Sequence, residues 1–122
     1  MLVEVLKCKI HRISVTDADL HYEGSISLGR EYMECAQLRA YEKVDIYNIS
    51  NGERFSTYVI PGNPGQVCLN GAAAWKVRVG DKIIIASYAW IEREAMEDHH
   101  PRVVLIGEGN QVKSVSDASM TS

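Results

Sequence analysis

A β-hairpin signature constrains the fold of this chain more than any other feature of its sequence. The pair Asn51-Gly52 lies between two runs rich in β-branched and aromatic residues, in the segment VDIYNISNGERFSTYVIPG. Asn-Gly suits both left-handed positions of the two-residue turn that joins antiparallel strands, so the segment predicts strand, tight turn and strand. Alternation along the second strand places Arg54 and Tyr58 on one face and Thr57 on the other. Arg54 and Tyr58 are therefore expected to share a pocket.

Further short strands are predicted on both sides of the hairpin. Residues 2–10 alternate, and Lys9 and His11 at the end of that strand project from one face. Because only a few short helices are predicted, we expect a mainly β, barrel-like domain. The other predicted segments are a loop at 16–25, a helix at 28–40 capped by Ser27, a strand at 66–69, a turn and helix start at 70–75, a strand buried on both faces at 82–91, a short helix stopped by Pro101, a strand at 102–107 and a loose polar tail from residue 109.

Composition limits the classes of function open to the chain. Its 122 residues, 46% of them hydrophobic, can bury the core of one domain. The 13 Lys and Arg residues against 16 Asp and Glu residues give a net charge of -3 without a basic block, so nucleic-acid binding is disfavoured. No apolar run is long enough to span a membrane, and the charges of Glu4 and Lys7 argue against a signal peptide. A cytoplasmic protein without membrane association is expected.

Individual motifs are weak when each is taken alone. The cysteines at 8, 35 and 68 form no C-x-x-C pair and are interpreted as reduced core thiols. The pair His99-His100 lacks metal-ligand spacing and is interpreted as a solvated helix end, so no metal site is expected. Gly24-Ser25 is an ordinary turn dipeptide without a surrounding G-x-S-x-G motif. No motif by itself therefore identifies an activity.

Taken together, four stretches resemble the aspartate 1-decarboxylase family. They occur in the family's order, and the motifs HYEGS and RFSTY within them are specific. The resemblance implies a small six-stranded double-psi β-barrel over residues 1–110, followed by a polar tail at 111–122, and a homotetramer. It also implies a carboxy-lyase that converts L-aspartate to β-alanine and CO2 for the biosynthesis of pantothenate and coenzyme A. The four stretches are KIHRISVTDADLHYEGSISL (9–28), NGERFSTYVI (51–60), NGAAAWKVRVGDKIIIASYA (70–89) and PRVVLIGEGN (101–110).

The same resemblance implies a cofactor made from the chain itself. Decarboxylation of an amino acid leaves a carbanion that needs an electron sink, and the sequence offers no compelling lysine context for pyridoxal phosphate. In the family, a proenzyme cuts itself at the position of Gly24-Ser25 into a β chain (1–24) and an α chain (25–122). Ser25 then becomes a pyruvoyl group, which forms a Schiff base with the substrate. Glycine suits position 24 because it lacks a side chain and tolerates strained backbone angles.

Roles for other residues follow from the family motifs. Thr57 matches the donor to the oxyanion formed during cleavage, and His11 and Tyr22 match residues near the processing site. Tyr58 matches the proton donor of decarboxylation, since a phenol keeps its proton at neutral pH. Because alternation separates Thr57 from Tyr58, Thr57 reaches the same site only if the strand ends, twists or bulges, or if the site spans two subunits. The residues matching the substrate-binding positions are Lys9, Arg54, Thr57, Asn70, Gly71, Ala72 and Ala73.

Two alternatives remain open from the sequence. The chain could be an uncleaved, non-catalytic barrel that serves as a binding module, or a pyruvoyl decarboxylase of another amino acid. The sequence departs from the family pattern at Ile26, at Tyr47 and at Trp75-Lys76, and none of these is a motif residue. It also leaves open whether a maturation factor is a partner of the chain and which cation binds which carboxylate of aspartate.

Overall fold

The structure of the protein is a computed structural model that describes residues 1–117, and it is mainly β. One α-helix, α1 (Arg30–Ala36), and three short 3-10 helices (Gly71–Lys76, Arg93–Asp98 and Glu108–Asn110) accompany the strands in that range. The strands are β1 (Leu2–Ser14), β2 (Asp17–Asp19), β3 (Ser25–Gly29), β4 (Lys43–Asn48), β5 (Arg54–Gly62), β6 (Val67–Asn70), β7 (Lys82–Glu92), β8 (Arg102–Ile106) and β9 (Val112–Asp117).

The strands pair in the order β2-β6-β3-β5-β4-β7-β1-β8-β9. The pairs β1–β8, β2–β6 and β3–β5 are parallel, and the other neighbours are antiparallel. The prediction of a mainly β fold with few short helices is confirmed. Within residues 1–117 this order is an open series, so the closed six-stranded double-psi barrel stays a prediction.

The predicted hairpin is confirmed as β4 and β5. Val44 pairs with Thr57 and Tyr47 with Arg54. The turn is wider than the predicted two-residue turn, since residues 49–53 separate the strands and Gly52 has a positive φ of 80° whereas Asn51 does not. The Gly52 amide donates to the carbonyl oxygen of Asn48 at 2.8 Å and closes this wider turn. A two-residue turn would have placed Arg54 opposite Ile49, so the predicted turn type is wrong while the hairpin itself is present.

A bulge in β1 lets two isoleucines three residues apart point to the same core. In a regular strand Ile10 and Ile13 would point to opposite faces. The pairing with β7 shifts between His11 and Ile13, and Arg12 takes a positive φ of 70°. Ile10 and Ile13 are both completely buried as a result, and they pack with buried isoleucines of three other strands, Ile26, Ile46, Ile83 and Ile85.

Several segments differ from their predictions. Part of the predicted loop at 16–25 forms the short strand β2, which pairs with β6. Residues 25–29, predicted as the end of that loop and the start of the helix, form strand β3. The helix begins at Arg30 and ends at Ala36, and it lacks a Ser27 cap because Ser27 belongs to β3. Strand β7 is buried on both faces only in part, since its end carries the exposed side chains of Tyr88 and Trp90.

The predicted loose tail is wrong for residues 112–117, which form β9. Every residue of β9 is exposed, so no apolar alternation marks it in the sequence. Backbone pairing with β8 holds the strand, and Arg102 Nη1 lies 3.5 Å from Asp117 Oδ1. The last residues of the predicted tail, 118–122, lie outside the described residues. No helix in the described part of the chain combines the length and apolar character that a membrane span requires.

Candidate active site

Ser25 begins strand β3 and is held by a residue on the neighbouring strand. In the antiparallel pair of β3 and β6, Ser25 lies opposite Asn70, and the two residues are only 1% and 2% exposed. The Asn70 amide Nδ2 donates a hydrogen bond to Ser25 Oγ at 2.9 Å. Ser25 Oγ in turn donates to the carbonyl oxygen of Glu23 at 3.3 Å. The serine hydroxyl is therefore oriented from two sides and removed from bulk water.

Gly71 packs directly against Gly24, the residue before Ser25. Gly71 has a positive φ of 62°, and a Cβ atom on it would lie 2.9 Å from the N and Cα atoms of Gly24 and from the carbonyl oxygen of Tyr22. Gly24 has no positive φ, and a Cβ atom on it would meet nothing within 4 Å. The expected backbone strain at Gly24 is therefore absent, and Gly71 is the position that only glycine fits.

A cleft of about 360 Å³ opens beside Gly24. Thr57 and Tyr58 both line it, although their side chains leave β5 on opposite faces. Thr57 and Tyr58 of one chain therefore border the same cleft. Its lining brings together Gly24, Phe55, Ser56, Thr57, Tyr58, Ala72, Ala73 and Lys76.

Lys9, His11 and Arg54 do not line the cleft. Directly paired residues place their side chains on the same side of a sheet, so the register defines rows of neighbours. The face of the sheet opposite the isoleucine core carries two such rows, which we call the outer face. One row is His11, Ile84, Tyr47 and Arg54, and the next is Lys9, Ala86, Asp45 and Ser56.

Arg54 is fixed on the outer face by an aromatic ring. Its guanidinium carbon lies 4.2 Å from the ring centroid of Tyr47, the distance of a cation–π contact. Tyr58 follows Arg54 by four residues on the same face of β5, and its ring packs against Tyr41 with centroids 6.4 Å apart. Tyr58 therefore belongs both to the outer face and to the lining of the cleft.

His11 carries an unused polar atom in this region. Its Nδ1 is buried without a hydrogen-bond partner. Burial lowers the pKa of His11 below its usual 6.5, and the positive charges of Lys9 and Arg12 lower it further. The imidazole is therefore neutral at neutral pH and can accept a proton.

Two tyrosines on the outer face share a hydrogen bond that the sequence analysis missed. The hydroxyl oxygens of Tyr47 and Tyr88 lie 2.6 Å apart. This hydrogen bond, assisted by burial, raises the pKa of Tyr88 to about 12. Tyr47 thus contacts both Tyr88 and Arg54. Alternation along β4 is the sequence signal that could have placed Tyr47 on the outer face.

The sequence analysis also missed polar and apolar residues near Ser25. Phe55, Ser56 and Lys76 line the cleft, and Lys76 Nζ lies 3.2 Å from Glu53 Oε2. The side chain of the predicted processing residue Tyr22 is 53% exposed. Within residues 1–117 no group of three His, Cys, Asp or Glu side chains is arranged to hold a metal ion.

The histidine pair lies outside this region, and its two members differ. His99 Nε2 lies 2.6 Å from the carbonyl oxygen of Leu6, so this ring contacts strand β1, whereas His100 is exposed. The interpretation of a solvated helix end therefore holds for His100 and is wrong for His99.

Comparison with known proteins identifies the family of this chain. A family model described as aspartate decarboxylase matches residues 1–113. Curated relatives named aspartate 1-decarboxylase include one from Syntrophus aciditrophicus, which is 56% identical over 89% of this chain and 96% of its own length. Others come from Methylibium petroleiphilum, at 50% identity over 91% of this chain and 94% of the relative, and from Sulfurimonas denitrificans, at 49% identity over 97% and 99%. The chain belongs to the aspartate decarboxylase family.

Proposed function

We propose that the protein is a pyruvoyl-dependent aspartate 1-decarboxylase that matures by cutting itself between Gly24 and Ser25. It converts L-aspartate to β-alanine and CO2, which serves the biosynthesis of pantothenate and coenzyme A in the cytoplasm. The observation that carries the proposal is the buried Ser25 hydroxyl, held by Asn70 at the junction with Gly24. The names of the relatives supply the substrate, and the three free thiols fit a reducing compartment.

Self-cleavage begins with the Ser25 hydroxyl. Its Oγ attacks the Gly24 carbonyl carbon, the bond from that carbon to the Ser25 nitrogen breaks, and the hydroxyl proton goes to the nitrogen. A base then takes the proton from Cα of residue 25 while the Cβ–Oγ bond of the ester breaks, which leaves a Gly24 carboxylate and dehydroalanine at position 25. Water then replaces the nitrogen, which leaves as ammonia, and a ketone remains. The Asn70 contact supports the first step because an N–H donor favours negative charge on Oγ.

An oxyanion forms at Gly24 during the attack and needs a donor beside it. Thr57 lines the same cleft as Gly24, so its hydroxyl is a candidate for this role. The close packing of Gly71 on Gly24 limits how far the carbonyl can move. Both contacts support a preorganised cleavage site, which lowers the barrier without reorganisation during the reaction.

The residues around position 25 fit a pyruvoyl group. The small residues Ala72 and Ala73 line the cleft and Gly71 packs on Gly24, and Asn70 can donate to an oxygen at position 25 as it does to Ser25 Oγ. A pyruvoyl group supplies the electron sink that the carbanion at Cα requires. Tyr58 lines the cleft next to Gly24 and donates the proton to Cα after CO2 has left. The backbone N–H groups of Gly71, Ala72 and Ala73 bind the substrate.

Aspartate also needs cations for its two carboxylates, and we assign these to a second subunit. Lys9 and Arg54 suit carboxylates because an ammonium and a guanidinium fork can pair with them. Neither residue lines the cleft of its own chain, and Lys9 lies on β1, four strands from β3 in the sheet order. A site made from the cleft of one chain and the outer face of another unites both sets. Such a site requires at least two subunits, and the family resemblance implies a homotetramer, in which His11 of one subunit assists cleavage in its neighbour.

Intact-mass measurement and product analysis test the proposal together. The purified protein is expected to separate into fragments 1–24 and 25–122, the second with a blocked N-terminus. It is then expected to release β-alanine from L-aspartate and no product from L-glutamate. Ser25→Ala is expected to stay full length and inactive. A wild-type protein that stays full length and has no decarboxylase activity would be the non-catalytic binding module instead. Preference for another amino acid would contradict L-aspartate as the substrate. A time course of the isolated protein shows whether a maturation factor is required.

A further inference from the structure

Four polar side chains form one cluster where β3 meets β6. The register places Ser25 opposite Asn70 and Ser27 opposite Cys68. Since alternate residues of a strand share a face, all four side chains point to the same side. We call this group the Ser25 cluster. Cys68 is 5% exposed and Asn70 is 2% exposed, so the polar atoms of these two residues must find partners within the protein.

The Asn70 amide has a partner for each of its N–H groups. Nδ2 carries two protons, and it donates to Ser25 Oγ and to Ser27 Oγ, each at 2.9 Å. The amide oxygen Oδ1 accepts from the Cys68 thiol, whose sulfur lies 3.2 Å away. The carbonyl oxygen of Leu69 lies at 4.0 Å from the same sulfur, so the single thiol proton is directed to Asn70.

The thiol determines which end of the amide faces Ser25. An asparagine side chain can be turned by half a rotation with little change in shape, which exchanges its oxygen and its NH2 group. Hydroxyls on Ser25 and Ser27 accept or donate and accommodate either orientation. A protonated thiol is a donor with little capacity to accept, so it favours the orientation in which Oδ1 faces Cys68 and NH2 faces Ser25.

The surroundings keep this thiol protonated. Burial raises the pKa of Cys68, and the negative charges of Asp17 and Asp19 raise it further. Strand β2 brings these aspartates alongside β6, where Asp17 pairs with Cys68 and Asp19 with Asn70. The short strand β2 thus has a chemical consequence for a residue that contacts the cleavage site.

We propose that Cys68 is a positioning residue for self-cleavage, which orients the Asn70 amide so that its NH2 group faces the Ser25 nucleophile. The inference rests on the proposed maturation at Gly24-Ser25. Cys68 does not contact the reacting atoms in this role. It acts through Asn70, and a serine at position 68 retains the function because its hydroxyl is also a donor.

Three variants test the role by their rates of self-cleavage, measured from intact mass over time. Cys68→Ala is expected to slow cleavage about tenfold, the rate equivalent of one lost neutral hydrogen bond. Cys68→Ser is expected to stay within about threefold of the wild-type rate, since it keeps a donor. Cys8→Ala removes another buried thiol, 1% exposed and on β1, and is expected to cleave at the wild-type rate. Thermal unfolding of each precursor checks that it is folded.

The inference is overturned if Cys68→Ala cleaves as fast as the wild type, or if Cys68→Ser is as slow as Cys68→Ala. It is also overturned if Cys8→Ala slows cleavage equally, because the effect would then belong to any lost core thiol. Wild-type protein that never cleaves would overturn the proposed function, and the positioning role would fall with it.

A spectroscopic measurement distinguishes failure of the positioning role of Cys68 from failure of self-cleavage itself. In a Ser25→Ala background, which stays full length, the Raman S–H stretching band of Cys68 is identified by its loss in Cys68→Ala. The S–H stretching band of a thiol that donates a hydrogen bond lies at a lower frequency than that of a free thiol. Adding Asn70→Ala to Ser25→Ala removes the acceptor, so the Cys68 band is expected to move to a higher frequency. An unchanged band would overturn the inference even when the wild-type protein cleaves normally.

Discussion

A Cβ atom on Gly71 would lie 2.9 Å from the Cα atom of Gly24, closer than real Cβ contacts allow. Residues 71 and 24 are far apart in sequence, yet this contact constrains the backbone beside the proposed cleavage site. A Cβ atom on Gly24 would lie in open space, whereas one on Gly71 would not fit.

Gly71→Ala is expected to slow self-cleavage about 100-fold, because a displacement of reacting groups by 1 Å can have an effect of that size. The left-handed backbone at position 71 adds about 1–2 kcal/mol of destabilisation. Intact mass over time gives the first effect and thermal unfolding of the precursor the second. The control for stability is Gly24→Ala, which introduces a methyl group into open space and is expected to melt close to the wild-type temperature. Equal melting temperatures for Gly71→Ala and Gly24→Ala would contradict the close packing of Gly71 against Gly24.

Tyr58→Phe is expected to cleave normally and to decarboxylate aspartate at least about 100-fold more slowly, the usual contribution of a proton donor. The rate is measured as β-alanine released by the cleaved protein. Tyr41→Phe is the matched control, because it removes the hydroxyl of the ring that packs against Tyr58. A Tyr58→Phe enzyme with full activity would exclude the phenol as the proton donor.

A site shared between subunits predicts complementation between two inactive variants. Ser25→Ala keeps the outer face but cannot mature, and Arg54→Ala matures but lacks the guanidinium. In co-expressed mixed tetramers about a quarter of the sites combine an intact residue 25 with an intact Arg54 from a neighbour. Activity of that order is expected from the mixture and not from either variant alone. A mixture that stays inactive, despite mixed tetramers seen by native mass spectrometry, would place Arg54 and residue 25 of one site in the same chain.

The neutral His11 predicts a loss of stability in mild acid. The folded-state pKa lies below 6.5, so the unfolded chain takes up a proton first as the pH falls through 6.5. The free energy of unfolding is therefore expected to decrease from pH 7 until the folded-state pKa is reached. Urea unfolding of the Ser25→Ala precursor between pH 5 and pH 8 measures this slope. Adding His11→Gln should flatten it, and adding the exposed control His100→Gln should not. An equal slope in both would assign the effect to other groups.

The sequence predicted best where the interactions are local. Asn51-Gly52 marked the hairpin of β4 and β5, but the register that places Arg54 beside Tyr47 comes from a turn that is wider than the predicted one and spans residues 49–53. The contact of Asn70 with Ser25 depends instead on the pairing of β3 with β6, which periodicity does not reveal. The family motifs brought Asn70 to attention, but they said nothing of Cys68 or Ser27, whose roles follow only from the register.

Three strands, β2, β3 and β9, escaped prediction for different reasons. Strand β3 is buried at four of its five positions, so it shows no clear alternation of apolar and polar residues. Strand β2 is three residues long and exposed, and it forms only because β6 lies beside it. Strand β9 is exposed along its whole length and is held by backbone hydrogen bonds, so its sequence resembles that of a tail. The bulge at Arg12 also reversed the alternation of β1, which a strict period of two cannot anticipate.

The position of β1 determines what the proposed cleavage would do to the folding of the protein. This strand lies between β7 and β8, far inside the sheet order, and it belongs to the fragment before the cut. After the proposed cut, that fragment would be held by its strand pairing and by the burial of Ile10 and Ile13, without a covalent link. Refolding from the fully unfolded state would then require two separate chains to meet, so its rate would depend on protein concentration. Folding of the uncut precursor involves one chain only, so the proposed maturation would make a fold that forms alone into one that, once lost, needs a partner fragment to return.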